Sequence, residues 1–108
     1  MTAESEFKKW IEEGIADGSL IQRVVCAALR YDDVMICSAR HFDHLMHKQI
    51  NAIGMGRTAE KIYKWEQGFI DQWGQFLTRT EARDIVIKNK QPIRAEKLGD
   101  FLYSEDLY

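Results

Sequence analysis

The first apolar residues of the chain recur with a helical period. Four of them fall on one face of a 3.6-residue repeat, with charged residues between them: Phe7, Trp10, Ile11 and Ile15. This spacing is typical of an amphipathic helix that buries one face. Glycine adopts the left-handed conformation at a helix C-terminus easily, so we expect Gly18 to end the helix. The pattern predicts an N-terminal helix within residues 1–18.

A strand-like pattern follows in "RVVCAALRYDDVMICSA". Small and β-branched apolar residues fill two short runs, and the two aspartates after Tyr31 are typical of a hairpin turn. Both faces of these strands are largely apolar, so we expect cover on both sides, by helices or by another subunit. Ser38 is predicted to cap a helix that runs through Ile53, which completes a first hairpin-helix unit over residues 23–53.

The same outline returns in the second half of the chain. "QGFIDQWGQFL" predicts a second hairpin, with Gly74 in its turn. Thr78 and Glu81 then form a capping-box pattern, in which each side chain bonds a free backbone N–H group at the helix start. The second hairpin-helix unit therefore spans residues 67–89. The connection between the two units is expected to hold a short helix after Thr58.

These elements predict one α+β domain over residues 1–108. Two β-hairpins form an antiparallel sheet, each hairpin is followed by an α-helix, and an amphipathic helix precedes them. The last segment, residues 98–108, is too apolar for a free tail. We expect it to dock, on this chain or on a neighbouring one. Its large apolar residues are Phe101, Leu102, Tyr103, Leu107 and Tyr108.

The charge and composition of the chain exclude some classes of binding partner. The formal net charge of -2 argues against a protein that coats DNA or an anionic membrane through bulk charge. The sequence shows no secretory leader and no apolar run of the roughly 18 residues that a membrane span needs, so a cytoplasmic protein is expected. Cys26 and Cys37 are expected to be reduced, buried thiols.

Two arginines stand where the predicted strands give way to helices. Arg40 follows Ser38 by two residues, and Arg79 occupies the first helical turn, where the helix dipole disfavours a cation. A helix start with a guanidinium beside it is a ready site for phosphate, so the pair could grip a diphosphate, within one chain or across two. The alternative is a pair of surface ion pairs, Arg40 with Asp43 and Arg79 with Glu81.

Nearby side chains complete the candidate ligand site. His41 shares the helix start with Arg40 and could hydrogen-bond an anion or a sugar hydroxyl. Trp73 and Phe76 are the aromatic residues nearest to Arg79, and either could stack on a base. The histidines at 41, 44 and 47 lack further ligands in the pattern, so neither a metal nor another cofactor is predicted.

Sequence motifs for catalysis are missing. The chain has no nucleophile elbow, phosphate-binding loop or dinucleotide fingerprint, and the paired aspartates are explained as turn residues. We therefore expect a binding protein and not an enzyme.

Three motifs carry a resemblance to a known family. "RYDDVMICSARHFDHLMHKQI", "EQGFIDQWGQFLTRTEARDIV" and "LYSEDLY" resemble small bacteriophage proteins with an RHFD box, a GxFLTRxEA box and a terminal SEDLY. The family is identified as the first type of Thoeris anti-defence protein, and the resemblance covers Val24 to Tyr108. Ser38 stands where glycine is expected before the first box, and Pro92 interrupts a glutamine-isoleucine step, so the chain departs from the family's pattern at these two positions.

The resemblance implies a sponge for an immune signal. Such proteins bind glycocyclic ADP-ribose without cleaving it, form dimers that assemble to hexamers, and in some members also hold cyclic di- or trinucleotides. On this chain it suggests Arg40 and Arg79 on phosphates, His41 and Asp43 on ribose hydroxyls, and Phe76 or Trp73 on adenine. The alternative hypothesis is a phage protein that docks on a host protein through its apolar C-terminal tail.

Overall fold

The computed structural model describes residues 2–31, 34–53 and 64–108, and there the chain has the predicted α+β fold. The helices are α1 (Ala3–Asp17), α2 (His44–Ala52), α3 (Arg79–Lys88) and α4 (Ser104–Leu107). The strands are β1 (Val24–Tyr31), β2 (Val34–Ser38), β3 (Glu66–Asp71) and β4 (Phe76–Leu77). The predicted turn at residues 32–33, the helix end at Gly54 and the helix after Thr58 lie outside the described residues.

The predicted helix boundaries at α1 and α3 are confirmed. The Thr2 side chain accepts a hydrogen bond from the backbone N–H of Ser5 at the start of α1, and Gly18 ends this helix with φ +82°. Thr78 and Glu81 form the complete capping box at the start of α3. Both signals are local, so the sequence alone could specify them.

The two hairpins join into an antiparallel sheet with the strand order β2-β1-β3-β4. Ser38, Ala27, Phe69 and Leu77 lie in one row across this sheet. Strands β2 and β4 therefore end at the same level but on opposite edges of the sheet. Three strand spacings separate these ends by roughly 14 Å.

One face of the sheet carries the main hydrophobic core. Helices α2 and α3 and the C-terminal segment cover it, with their buried side chains at Met46, Ile50, Ala82, Val86, Leu102 and Leu107. On the opposite face Ala28 is fully buried, whereas Met35 remains 40% exposed, and Val25 beside the β-bulge of β1 remains 37% exposed. The expectation that helices or a subunit cover both faces is therefore only partly met in this chain.

The start of α2 differs from the sequence prediction. Asp43, not Ser38, is the N-cap, and its carboxylate accepts a hydrogen bond of 2.9 Å from the backbone N–H of Met46. Ser38 instead donates its hydroxyl proton to the other oxygen of Asp43, 2.5 Å away. Serine and aspartate are both common helix caps. Because α2 begins only at His44, six residues after Ser38, Asp43 and not Ser38 stands at the cap position. Two apolar residues within the bounds predicted for this helix, Leu45 and Ile53, are exposed by 56% and 41%.

The C-terminal segment docks on its own chain. Leu102 is fully buried and Ser104 and Leu107 are nearly so. The backbone N–H of Leu102 donates to the carbonyl oxygen of Arg79, and that of Ala95 donates to Asp106. The described residues include no helix long and apolar enough to cross a membrane.

Candidate functional site

Asp71 organises the turn between β3 and β4. It is almost completely buried, and its Oδ1 accepts hydrogen bonds from the backbone N–H groups of Trp73 and Gln75 at 3.0 and 2.9 Å. Its Oδ2 accepts from the side-chain amides of Gln22 and Gln75, both at 2.9 Å. Gly74 takes φ +77° in this turn, as the sequence predicted. The buried carboxylate thereby fixes the position of Trp73.

Gly68 fixes the position of Phe76. A Cβ atom at residue 68 would stand 2.3 Å from the carbonyl oxygen of Leu77 and 2.5 Å from the Phe76 ring. Only glycine allows the ring to lie this close to strand β3. The close approach places Phe76 beside Arg30, whose guanidinium carbon lies 4.1 Å from the centre of the Phe76 ring. This is a cation–π contact.

These side chains line a groove between the sheet and α1. Its volume is about 460 Å³, within the roughly 300–1,000 Å³ of small-molecule sites. The sheet contributes Arg30, Trp73, Gly74, Gln75 and Phe76, and α1 contributes Glu4, Phe7, Lys8 and Ile11. We call this cavity the aromatic groove. It combines flat ring surfaces with two cations.

Glu66 holds the Arg30 guanidinium in the free protein. The two side chains form an ion pair of 3.0 Å, and both are exposed by 40% or more, at 42% and 59%. Such an exposed pair contributes only about 0 to 1 kcal/mol, so an anionic ligand could replace the carboxylate at little cost.

The predicted site residues around the RHFD box lie elsewhere, against the C-terminal segment. Arg40 donates from Nη2 to the backbone oxygen of Tyr108 at 2.6 Å. The backbone N–H of His41 donates to the hydroxyl of Ser104, and His41 Nε2 donates to the carbonyl oxygen of Gly68 at 2.7 Å. Asp43 caps α2, as described above.

His41 is held neutral by its surroundings. Its ring meets Phe69 edge-on, with the ring centres 5.3 Å apart. Burial lowers the pKa of His41 below its ordinary value of 6.5, and the nearby Arg79 guanidinium lowers it further. A neutral ring that donates to a carbonyl acts here as a structural link between the box and β3.

Arg79 contacts the same C-terminal segment. Its Nη1 donates to the carbonyl oxygen of Leu102 at 3.1 Å and its Nη2 to Gln67 Oε1 at 2.7 Å. The guanidinium carbon also lies 5.0 Å from the centre of the Tyr103 ring. These contacts give a physical reason for a cation in the first turn of α3, because they offset the unfavourable helix dipole.

The surface ion pairs that the sequence left as an alternative take another form. Asp43 accepts the backbone N–H of Arg40, and Glu81 accepts the backbone N–H of Thr78. Both carboxylates therefore serve as helix caps, and both guanidinium groups contact the C-terminal segment.

The six predicted site residues thus fall into three places, and one of them, Asp43, is the N-cap of α2. Trp73 and Phe76 line the aromatic groove, whereas Arg40, His41 and Arg79 contact residues of the C-terminal segment. Sequence reasoning missed the cations of the groove, Arg30 and Lys8. Arg30 opens the first quoted motif but lies in a hairpin strand, away from the predicted helix starts, and Lys8 comes from α1. Only the tertiary fold brings these two side chains together.

Histidine spacing does not build a metal centre here. In residues 2–31, 34–53 and 64–108, no three His, Cys, Asp or Glu side chains are placed to hold a metal ion. His41 points to the sheet, while His44 and His47 are exposed on α2.

The fold and the groove define a small α+β protein with an open cavity beside its sheet, lined by aromatic and charged side chains. Residues 23–108 match the model of a family described as "Phage T4 y16D protein", and the chain belongs to this family of phage proteins. The match agrees with the phage origin that the resemblance implies, and the Thoeris role stays a prediction. No curated protein and no solved structure matches the chain. The matched region contains the sheet side of the groove but not α1.

Proposed function

We propose that this phage protein binds and sequesters a cyclic nucleotide immune signal without cleaving it. Glycocyclic ADP-ribose is the ligand that the motif resemblance implies. The observation that carries the proposal is the aromatic groove, which the half-buried rings of Trp73 and Phe76 line together with Arg30 and Lys8. A cyclic ADP-ribose needs both kinds of group, because it joins a purine ring to a diphosphate.

In this arrangement the purine stacks in the groove and the diphosphate meets the cations. Arg30 releases Glu66 and donates to the phosphates from the edge of its guanidinium, which stays stacked on Phe76. Lys8 adds a second charge from the α1 side. Sequestration requires only tight and lasting occupancy, so the groove needs no reacting group.

Arg40 and Arg79 form a second candidate site for the same ligand. There the ligand phosphates displace the backbone oxygens of Leu102 and Tyr108 that the two guanidinium groups now contact. This requires the C-terminal segment to lift from a core in which Leu102 is fully buried. The groove needs no such rearrangement and is therefore preferred.

The first test is capture and release. The purified protein is incubated with glycocyclic ADP-ribose, cyclic ADP-ribose and a cyclic dinucleotide, freed of unbound ligand and denatured. Mass spectrometry then identifies what is released. We expect one intact cyclic nucleotide; a cleaved product would make the protein an enzyme, and no captured ligand would reject nucleotide binding.

Three variants locate the site. Arg30→Gln is expected to weaken binding about 10- to 100-fold, because a hydrogen bond to a charged group contributes about 1.5–3 kcal/mol. Glu66→Gln frees Arg30 and is expected to strengthen binding about two- to fivefold, the most that an exposed ion pair allows.

Arg79→Gln should leave the affinity for the nucleotide unchanged and lower the melting temperature. Normal binding by Arg30→Gln together with loss in Arg79→Gln would instead place the ligand at the C-terminal segment.

The tail-docking hypothesis receives less support. Leu102 and Leu107 are used in the core of the chain itself, which leaves Phe101, Tyr103 and Tyr108 about half exposed. The homo-oligomer that the resemblance implies stays a prediction, which the native mass of the protein checks.

A further inference from the structure

Helix α1 is fastened to the rest of the protein along its second half. Ile11 is 1% exposed, and a Cβ at Gly14 would stand 2.3 Å from the Leu20 side chain, so helix and following loop are in close contact. Gln72 donates to the carbonyl oxygen of Ile21 at 2.6 Å and ties that loop to the turn that carries Trp73. The helix therefore holds a fixed position relative to the groove.

The first half of α1 forms the outer wall of the aromatic groove. Phe7 lines the cavity opposite the sheet and is 48% exposed. Its ring stacks on Trp10, with centres 5.9 Å apart and planes at 17°. This stack covers one surface of the Phe7 ring, and about half of the side chain remains exposed. Phe76 and Arg30 form the facing wall.

We propose that Phe7 and the Arg30–Phe76 stack sandwich the ligand ring, so that α1 makes the groove favour anions that carry an aromatic base. This inference rests on the proposed function and adds the ligand class and the residue that selects it. The family match covers the sheet wall but not α1. Ring selection therefore depends on a wall that lies outside the matched region.

A two-sided stack distinguishes ligands by their rings. A purine nucleotide gains contact with both walls as well as the attraction of Arg30 and Lys8. A linear polyphosphate gains only the attraction, because it has no ring to insert. Loss of one stacking surface costs a nucleic-acid base about 5- to 150-fold in affinity, and loss of Phe7 should act on the purine ligand alone.

Equilibrium dialysis with two probes tests this. Cyclic ADP-ribose and tripolyphosphate are measured against the wild-type protein, Phe7→Ala and Phe101→Ala. Phe101 is the matched control, because it is 49% exposed on the C-terminal segment and does not line the groove. We expect Phe7→Ala to weaken the binding of cyclic ADP-ribose by about fivefold or more, with tripolyphosphate binding unchanged within twofold. Phe101→Ala should bind both probes like the wild type. Phe7→Tyr, which keeps the ring, should restore affinity.

The outcomes separate the two proposals. Unchanged cyclic ADP-ribose binding in a folded Phe7→Ala protein would overturn the sandwich and leave the proposed function intact. Equal weakening of both probes would also overturn it, since a ring contact cannot act on a ligand without a ring. A wild-type protein that binds no cyclic nucleotide would overturn the proposed function and the sandwich with it. Circular dichroism confirms that each variant is folded.

Discussion

Single residues of the motifs take roles that their positions in the sequence do not reveal. Asp43 and Glu81 cap helices, while Arg40 and Arg79 contact the C-terminal segment. The sequence predicted the chemical groups and their junctions, since caps are local. It could not predict the acceptors of the arginines, because Leu102 and Tyr108 are distant in sequence and reach them only through the tertiary fold.

His41 predicts a dependence of stability on pH. Its pKa in the folded protein lies below 6.5 because of burial and Arg79. As the pH falls below 6.5, the unfolded chain gains a proton that the folded protein does not take up. The free energy of unfolding contributed by His41 is therefore present above pH 6.5 and is lost as the pH falls toward the folded pKa.

Urea denaturation between pH 5 and 8 measures this effect. Relative to His41→Gln, which can still donate to Gly68, the wild-type protein should lose stability as the pH falls. Parallel curves for wild type and His41→Gln would refute the linkage.

Elements that depend on neighbours in sequence are the ones that the sequence predicted well. The α1 C-terminus, the capping box of α3 and the turn at Gly74 all follow from residues within a few positions of each other. Longer links escaped prediction, for example the Gln91 side chain, which bonds both the N–H and the carbonyl of Val24 at 2.8 Å. Such a link depends on where β1 and the end of α3 meet.

The end of α3 predicts a stabilising substitution. The backbone N–H of Gln91 donates to the carbonyl oxygen of Val86, and that of Lys90 donates to the carbonyl oxygen of Ile87. These are the two hydrogen bonds of a Schellman motif, in which Lys90 has φ +51°. This left-handed conformation costs a residue with a Cβ roughly 1–2 kcal/mol, which a glycine would not lose. Glycine is more flexible in the unfolded chain, and this costs about 0.5–1 kcal/mol of the gain. Lys90→Gly should therefore stabilise the protein by about 0.5–1 kcal/mol, seen as a higher melting temperature.

Lys88→Gly is the matched control for this substitution. It introduces the same change within α3, where glycine lowers stability by about 0.5–1 kcal/mol relative to a good helix former. Opposite signs for the two variants are expected. A lower melting temperature for Lys90→Gly would show that the lysine side chain contributes more than its backbone strain costs.

At the scale of the whole molecule, the core and the groove lie on opposite faces of the same sheet. The hairpins and helices could be predicted from hydrophobic spacing, and the docking of residues 98–108 from their apolar character. The groove could not, because it needs the register that sets Arg30 beside Phe76 and the packing that brings α1 across them. Phe76 and its neighbours belong to one motif, Arg30 lies in another, and the residues of α1 lie in none.

The C-terminal segment is predicted to be part of the folding unit. Leu102 is fully buried, and its backbone bonds Arg79 through both its N–H and its carbonyl oxygen. Leu102→Ala removes core contacts while it keeps those backbone bonds, and it should cost about 2–5 kcal/mol of unfolding free energy. Phe101→Ala, next to it and 49% exposed, should cost about 1 kcal/mol or less. Urea denaturation measures both. If Leu102→Ala cost as little stability as Phe101→Ala, the segment would dissociate readily from the core. Arg40 and Arg79 would then be accessible, and the proposal that they bind the ligand phosphates would be favoured again.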